Sequence, residues 1–433
     1  MTKTIATAIL LCTSTFASDA AMFRGSPEHS GVYNSAAIAT FGGVKWKFKT
    51  GGQVISSPTI SDGMVYVGSS DHNLYAIDAA TGAEKWKFKT ASRVSSTPAV
   101  SGGTIFFGSY DGNFYAVDAA TGKLKWKFQT AGERRFAGKH LHGSQPAGEL
   151  MPDPFDVFLS SPAVVQGTVY FGSGDGNVYA LDTNSGAVKW TFHTGDVVHA
   201  SPAVVDGTVF IGSWDTYFYA LDSATGKEKW RFKTGEDHDI YNQVGIQSSA
   251  AVANGTVYFG CRDSNFYAVD AATGKQKWAF NNKGSWVVGS PAVQGSRVYF
   301  ATSDSGLFHA LDAGSGTPVF ELSSAKWPMF SSLAIAGNTA YVGSNSGKLF
   351  AIDLNTQKIA WEFQTDASRK NGPEYTKADG TPKYEAAFND NFYDDIVSGV
   401  NRMMSVGAIL SSPAIVNGVI YVGSTDGYVY ALQ

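Results

Sequence analysis

Cysteine is nearly missing from this chain, with two in 433 residues, at Cys12 and Cys261. Cys12 falls in an N-terminal segment that reads as a cleaved export signal. Cys261 then stands alone, and an intramolecular disulfide framework is excluded. Charge is also sparse, with 16% charged residues and a net charge of -4. No positive field is left to attract nucleic acid or an anionic membrane surface. No apolar run past the N-terminus is long enough for a membrane helix. There is no Gly-x-Ser-x-Gly, His-Glu-x-x-His or phosphate loop, so a hydrolase or nucleotide enzyme finds no motif to stand on. Glycine and aromatic residues are plentiful, at 48 Gly and 13% Phe, Trp and Tyr. Spread among short apolar runs, they suit many strands joined by tight turns.

Residues 1–20 run from Lys3 through the apolar stretch Ile5–Leu11 to small residues ending near Ala20. This order of charge, apolar core and small residues predicts a secretory signal peptide and a periplasmic or secreted protein. Leu11 occupies the place where a lipoprotein signal calls for a small residue, so a simple cleaved signal is favoured over lipidation at Cys12.

From residue 44 one pattern recurs at a basic period of 40 residues. Its first full copy runs from Ser56-Ser57-Pro58 through Met64–Ser69, Asp71, Leu74–Asp78 and Thr81-Gly82 to Lys85-Trp86-Lys87-Phe88. The Ser or Thr ahead of the first strand recurs at Thr97, Ser161, Ser201, Ser249, Ser290, Ser332 and Ser412, which makes eight copies with Ser57. Asp-Gly and Thr-Gly turns separate four β-rich segments per copy. Four strands at this period predict an all-β fold, an eight-bladed β-propeller with four antiparallel strands per blade. The last copy ends three strands in, at Gln433, while a lone fourth-strand sequence, Val44–Phe48, precedes the first blade. Pairing the two closes the ring and removes two open edges. The domain reading is a signal at 1–20, a lead-in at 21–43 and a single propeller at 44–433.

The string Ala76-x-Asp78-x-x-Thr81-Gly82-x-x-x-Trp86 resembles the tryptophan-docking motif of quinoprotein dehydrogenase propellers. It recurs at Ala116–Trp126, Ala220–Trp230 and Ala268–Trp278, with degraded copies elsewhere. The chain is thereby similar to the pyrroloquinoline-quinone-like (PQQ-like) repeat propellers, a group that includes quinoprotein dehydrogenases and the outer-membrane assembly factor BamB. The resemblance implies that Trp46, Trp86, Trp126, Trp190, Trp230, Trp278 and Trp361 pack between blades as scaffold, with Phe320 standing in once. It also raises PQQ and calcium as cofactors. The adjacent-cysteine pair usual in those dehydrogenases is missing, and their calcium ligands and catalytic Asp match no motif here.

The period breaks at three insertions, 131–160, 235–248 and 366–411. All join an outer strand to the next blade's inner strand, so they share one face, and propellers commonly bind partners through such variable loops. In the first, His140 and His142 with Asp153 or Asp156 offer metal or ligand donors, or form a proline-pinned loop packed over the channel. In the second, Glu236, Asp237 and Asp239 around His238 are candidate ligands for a hard cation, or a solvated acidic loop. In the third, Phe388, Phe392, Ile396, Val400 and Met404 recur every four residues and predict a short amphipathic helix, with Arg402 near the channel mouth. Trp214 and Arg262 replace small or polar residues in the turns between second and third strands, and Trp286 lies in a nearby connection. A planar cofactor stacked on Trp214 or Trp286, with a carboxylate at Arg262, is one use of that set. Cys261 reads as a buried small side chain.

Two function classes follow. One is an exported, non-enzymatic scaffold, monomeric, binding a protein or small molecule through its insertion face. The other is a PQQ-dependent oxidoreductase of the alcohol-dehydrogenase type.

Overall fold

The computed structural model describes residues 20–433, so the signal-peptide reading, Cys12 included, lies outside the described residues. Among the described residues, eight antiparallel four-stranded blades form the propeller. Val32–Tyr33 adds in parallel to Ala334–Ala336 of the seventh, and Ala137–Lys139 pairs with Leu150–Pro152 within the first insertion. Blades 1 to 7 span residues 59–89, 99–129, 163–193, 203–233, 251–281, 292–323 and 334–364. Blade 8 takes three strands from 414–432 and its outer strand from Val44–Lys49, paired from Val44↔Leu432 to Lys49↔Tyr428. Among the described residues, no helix is long and apolar enough to cross a membrane.

Outer strands alternate strictly, with Trp86 and Phe88 turned inward and the intervening lysines exposed. In register with each docking Trp stands a fully buried Ala, as in Ala76↔Trp86, which leaves room for the indole. The indole then reaches the next blade: Trp86 Nε1 donates to the Ala119 carbonyl at 3.2 Å, and Trp190 Nε1 to that of Ser223 at 2.9 Å. A Cβ on Gly122, in the turn over Trp86, would lie 2.6 Å from the indole, and its φ is +69°. Both facts explain the Thr-Gly of the repeat, because only glycine permits this approach and this backbone. At the closure seam blade 8 has no such turn. Trp361 donates instead to the carbonyl of Ile38 at 2.8 Å, and Phe41 stacks on its ring at 5.2 Å.

The pre-strand Ser/Thr residues form a closed ring around the axis. The amide of each donates to the hydroxyl of the next blade's residue, from Ser57 to Thr97 at 3.2 Å round to Ser412 to Ser57 at 2.8 Å. The lead-in crosses one end of this channel. Its carbonyls at Ala20, Ala21, Pro27, Glu28, Ser30 and Gly31 accept from inner-strand amides of Ile60, Val100, Val204, Val252, Val293 and Ile335. Six blades are thus laced together by one extended segment, whose Phe23 seals the channel floor.

The third insertion forms α1 (Asp366–Tyr375), α2 (Tyr384–Ala387) and α3 (Tyr393–Met404). The helix anticipated from Phe388 onward is shorter than its apolar spacing indicates. Phe388 caps α2 and Phe392 precedes α3, 60% exposed. The cause is local: Asp395 accepts from the amides of Asn389 and Asp390, and Asp390 from that of Phe392, turning the chain before α3 begins.

Candidate functional site

The three insertions meet over the channel end opposite the lead-in. His142 N donates to the Ile240 carbonyl at 2.7 Å, joining the first to the second. Gln145 N donates to the Asn391 carbonyl at 2.9 Å, and Tyr393 Oη to that of Pro152 at 2.6 Å, joining the first to the third. Val400 and Met404 of α3 bury with Ile55, Trp286, Val288, Phe330 and Leu410 of the blade entrances, with Phe155, Val157 and Phe158 beside them. Between this apolar cap and Phe23 remains a chamber of about 40 Å³, lined by the hydroxyl ring and by His199 and Gln247. That is space for a few waters and nothing larger.

Two charged clusters hold the cap down. In the first, Arg262 is fully buried and donates from Nη1 to Asp153, itself fully buried, at 2.5 Å. Its guanidinium lies 3.9 Å from the ring centre of Trp286 and 4.7 Å from that of Trp214. Phe136 stacks on Trp214 at 4.5 Å and 9°. The result is a continuous stack of Phe136, Trp214, Arg262 and Trp286, closed by a salt bridge from the insertion. His142 Nε2 approaches Asp153 at 3.2 Å. Burial pushes the Asp153 carboxyl up, but Arg262 and His142 outweigh it and hold the group well below the usual carboxylate range.

The second cluster centres on His199, a residue that sequence reasoning missed. Its Nδ1 lies 2.7 Å from Asp156 and its Nε2 3.4 Å from Glu133, both in the first insertion. Burial lowers the imidazole's affinity for a proton, yet the two carboxylates overcome it and raise the pKa to about 9. His199 is therefore a buried cation at neutral pH. Because its folded value lies above the ordinary 6.5, its stabilisation is complete below pH 6.5 and is lost as pH rises through 9. Stability should fall by about 3 kcal/mol between pH 6.5 and 9.5. Urea unfolding at the two pH values measures it, and His199→Gln should flatten the dependence; an equal fall in the variant would assign it elsewhere.

The remaining candidates are dispersed. His140 sits half-buried in the left-handed region with φ of 54°, away from the Arg262 cluster that His142 joins. Arg402 is spent inside the cap, donating to the Ala387 carbonyl at 2.6 Å and to Asp395 at 2.9 Å. Glu236 is met by Lys233 at 3.0 Å and His238 at 3.1 Å, while Asp237 accepts from the Asp239 amide. Among the described residues, no three His, Cys, Asp or Glu side chains gather in a metal-holding arrangement. Cys261 is free and buried, and burial pushes its thiol pKa well up.

Beside the Arg262 cluster opens a pocket of about 190 Å³. All three insertions contribute to its wall, through His142 and Phe155, Asn242, and Tyr384, Phe388, Val400, Met403 and Met404. The blades add Trp286, Asp304, Pro328, Phe330 and Asn345.

The comparisons with known proteins fit this architecture. The family model described as outer membrane protein assembly factor BamB matches residues 35–139, 152–280 and 241–433. The chain belongs to that family. Among solved structures, BamB from Moraxella catarrhalis aligns at a TM-score of 0.66 and 16% identity, over 90% of this chain and 99% of that one. A europium-containing methanol dehydrogenase aligns at 0.71 and 15% identity, over 96% of this chain and 98% of that one. The quinohemoprotein alcohol dehydrogenase from Comamonas testosteroni aligns at 0.68 and 16%, over 96% and 80%. At these identities the structural likenesses establish the fold alone. No curated protein sequence matches the chain.

A planar quinone needs an aromatic face to stack on. In this BamB-like propeller Trp214 is 1% exposed, with Phe136 stacked on it and the Arg262 guanidinium 4.7 Å from its ring centre, while Arg262 also lies over Trp286. The Arg262 charge is already matched by Asp153. The residues present do not fit a cofactor stacked at Trp214.

Proposed function

We propose that the protein is an exported, monomeric, non-enzymatic binding propeller that engages a protein or small-molecule ligand through its insertion cap. The observation that carries this reading is the junction of all three insertions around one pocket on one face. Away from the insertions most recurring side chains of the repeat are consumed by docking, turns and the hydroxyl ring. Loops retained on a rigid frame and folded against one another make a preformed recognition surface. The BamB family description and the missing adjacent-cysteine pair support the same side.

Thermal melting in the presence of PQQ with calcium tests the non-enzymatic part. A ligand bound only by the folded state raises the transition by mass action. The melting temperature is expected to stay unchanged at saturating cofactor. A dose-dependent rise, abolished by Trp214→Ala, would replace the scaffold with a quinone-dependent oxidoreductase.

A further inference from the structure

Six blades use the Asp of the turn between second and third strands in the same way. It accepts the hydroxyl of a Tyr four residues on, at 2.6 to 2.8 Å, as in Asp71–Tyr75, Asp215–Tyr219 and Asp426–Tyr430. Blades 6 and 7, which flank the pocket, have lost this pair. His309 and Phe350 stand at the Tyr positions, and blade 7 has Ser346 for the Asp. The blade 6 turn is one residue longer, running from Ala301 to Leu307 where blade 1 runs from Gly68 to Asn73. Its turn-forming work has passed to Thr302, whose hydroxyl accepts from the Leu307 amide at 2.8 Å and contacts Ser305 at 2.6 Å.

Asp304 is thereby released. It is exposed at the pocket wall and, among the described residues, has no hydrogen bond or ion pair. It is the one carboxylate lining the pocket, and no Lys or Arg lines it. Arg262 lies behind the wall, ion-paired with Asp153, and His142 stands in the lining. Burial pushes the Asp304 carboxyl up, and the charges of Arg262 and His142 offset this only in part. Much of the remaining lining is apolar and pliable, with Met403, Met404, Val400, Phe388 and Phe330. Thioether side chains adapt to varied apolar shapes. The wall also contains two residues more than nine-tenths buried with a polar atom lacking a partner, Asn345 at Oδ1 and Trp286 at Nε1. Natural interiors rarely leave such groups unsatisfied, and they mark a site completed by something from outside.

We propose that this pocket binds a small organic amine, its ammonium paired with Asp304 and its apolar or aromatic body held against Met403, Met404 and Phe388. The assignment rests on the reading of the cap as a binding surface and names the ligand class. An ammonium matches the unpaired carboxylate in charge and donates up to three hydrogen bonds. A carboxylate ligand would meet like charge at the same spot. A pocket of about 190 Å³ has room for a compact molecule.

Calorimetric titration with phenethylamine, 2-phenylethanol and phenylacetate, three bodies of one shape and different charge, is the test. Phenethylamine is expected to bind at least about tenfold more tightly than the alcohol, with phenylacetate weakest. Asp304→Asn, which removes no intramolecular bond, should erase the advantage of the amine while leaving the melt in place. Met404→Trp should block all three by filling the pocket; if that variant misfolds, Asp304→Asn still decides. Binding of phenylacetate as tight as the amine, an Asp304→Asn affinity within twofold of the parent, or no binding of any probe would overturn the assignment. None of those results touches the broader scaffold reading, which falls only on a specific response to PQQ with calcium.

Discussion

A protein beginning at residue 51 is expected to lose its cooperative thermal transition and to associate in solution. Removing the preceding segment strips the outer strand from blade 8 and bares the edge of Tyr428–Leu432, whose pairing with Val44–Lys49 closes the ring. An open strand edge of this kind recruits other chains. The same cut removes Trp46, whose indole docks on the Ala79 carbonyl at 2.9 Å, and the Ile38 carbonyl that receives Trp361. Loss of one such docked Trp costs about 3–5 kcal/mol by itself. It also removes the six carbonyls that lace the inner strands, each worth about 1 kcal/mol net. Together these terms come to about 10 kcal/mol, comparable to the whole stability of an ordinary domain, about 5–15 kcal/mol. A protein beginning at residue 32 separates the effects, since it keeps the closing strand but loses the lacing. It should remain monomeric and melt at a lower temperature. Size-exclusion chromatography and melting of both truncations read the outcome, and an unchanged melt for the shorter protein would refute closure by the N-terminal strand.

The propeller was legible in the sequence because its determinants repeat. Trp86, Gly122 and the Ser57 hydroxyl each serve an interface used again in almost every blade, so the physics wrote the same letters at the same period. The orphan Val44–Phe48 segment even exposed the ring closure. Trp214 and Arg262 stood out for the complementary reason, as departures from what the turn frame holds elsewhere. Their partners did not stand out. Asp153 lies 109 residues from Arg262, and Glu133 and Asp156 lie 66 and 43 residues from His199, inside an aperiodic insertion. His199 could have been flagged by its own frame, where Ile55, Leu159, Val288, Phe330 and Leu410 stand in other blades. It was hidden because Ser95 and Gln247 make that frame mixed. The lacing by residues 20–31 left no trace at all, since it works through backbone carbonyls that every residue carries. Phe136 was invisible as the occupant of the Trp214 face because stacking across an insertion obeys no spacing.

Arg262→Met should destabilise the protein by about 3–5 kcal/mol, the second of the two largest effects. The substitution keeps an unbranched side chain between Trp214 and Trp286, so packing within the stack changes little. What it removes is the cation facing Asp153, a fully buried carboxylate then left with His142 and the Phe155 amide. An ion buried without its partner costs more than the pair contributes, because desolvation is no longer offset. Adding Asp153→Leu to Arg262→Met should therefore recover most of the loss. The pairing is expected to couple the two positions strongly, and the double-mutant cycle in urea measures that coupling. The cap supplies a second readout, since Asp153 sits on the insertion and Arg262 on blade 5. In the single variant, amide hydrogen exchange across residues 131–160 should quicken, while the inner strands of blades 1 and 2, far from the cluster in sequence, keep their protection. If the double variant is as unstable as the single one, the buried charge is not the source of the loss. The stack of Phe136, Trp214, Arg262 and Trp286 would then depend on the guanidinium's planar contacts with the two indoles, and cation–π attraction would be the force that anchors the cap.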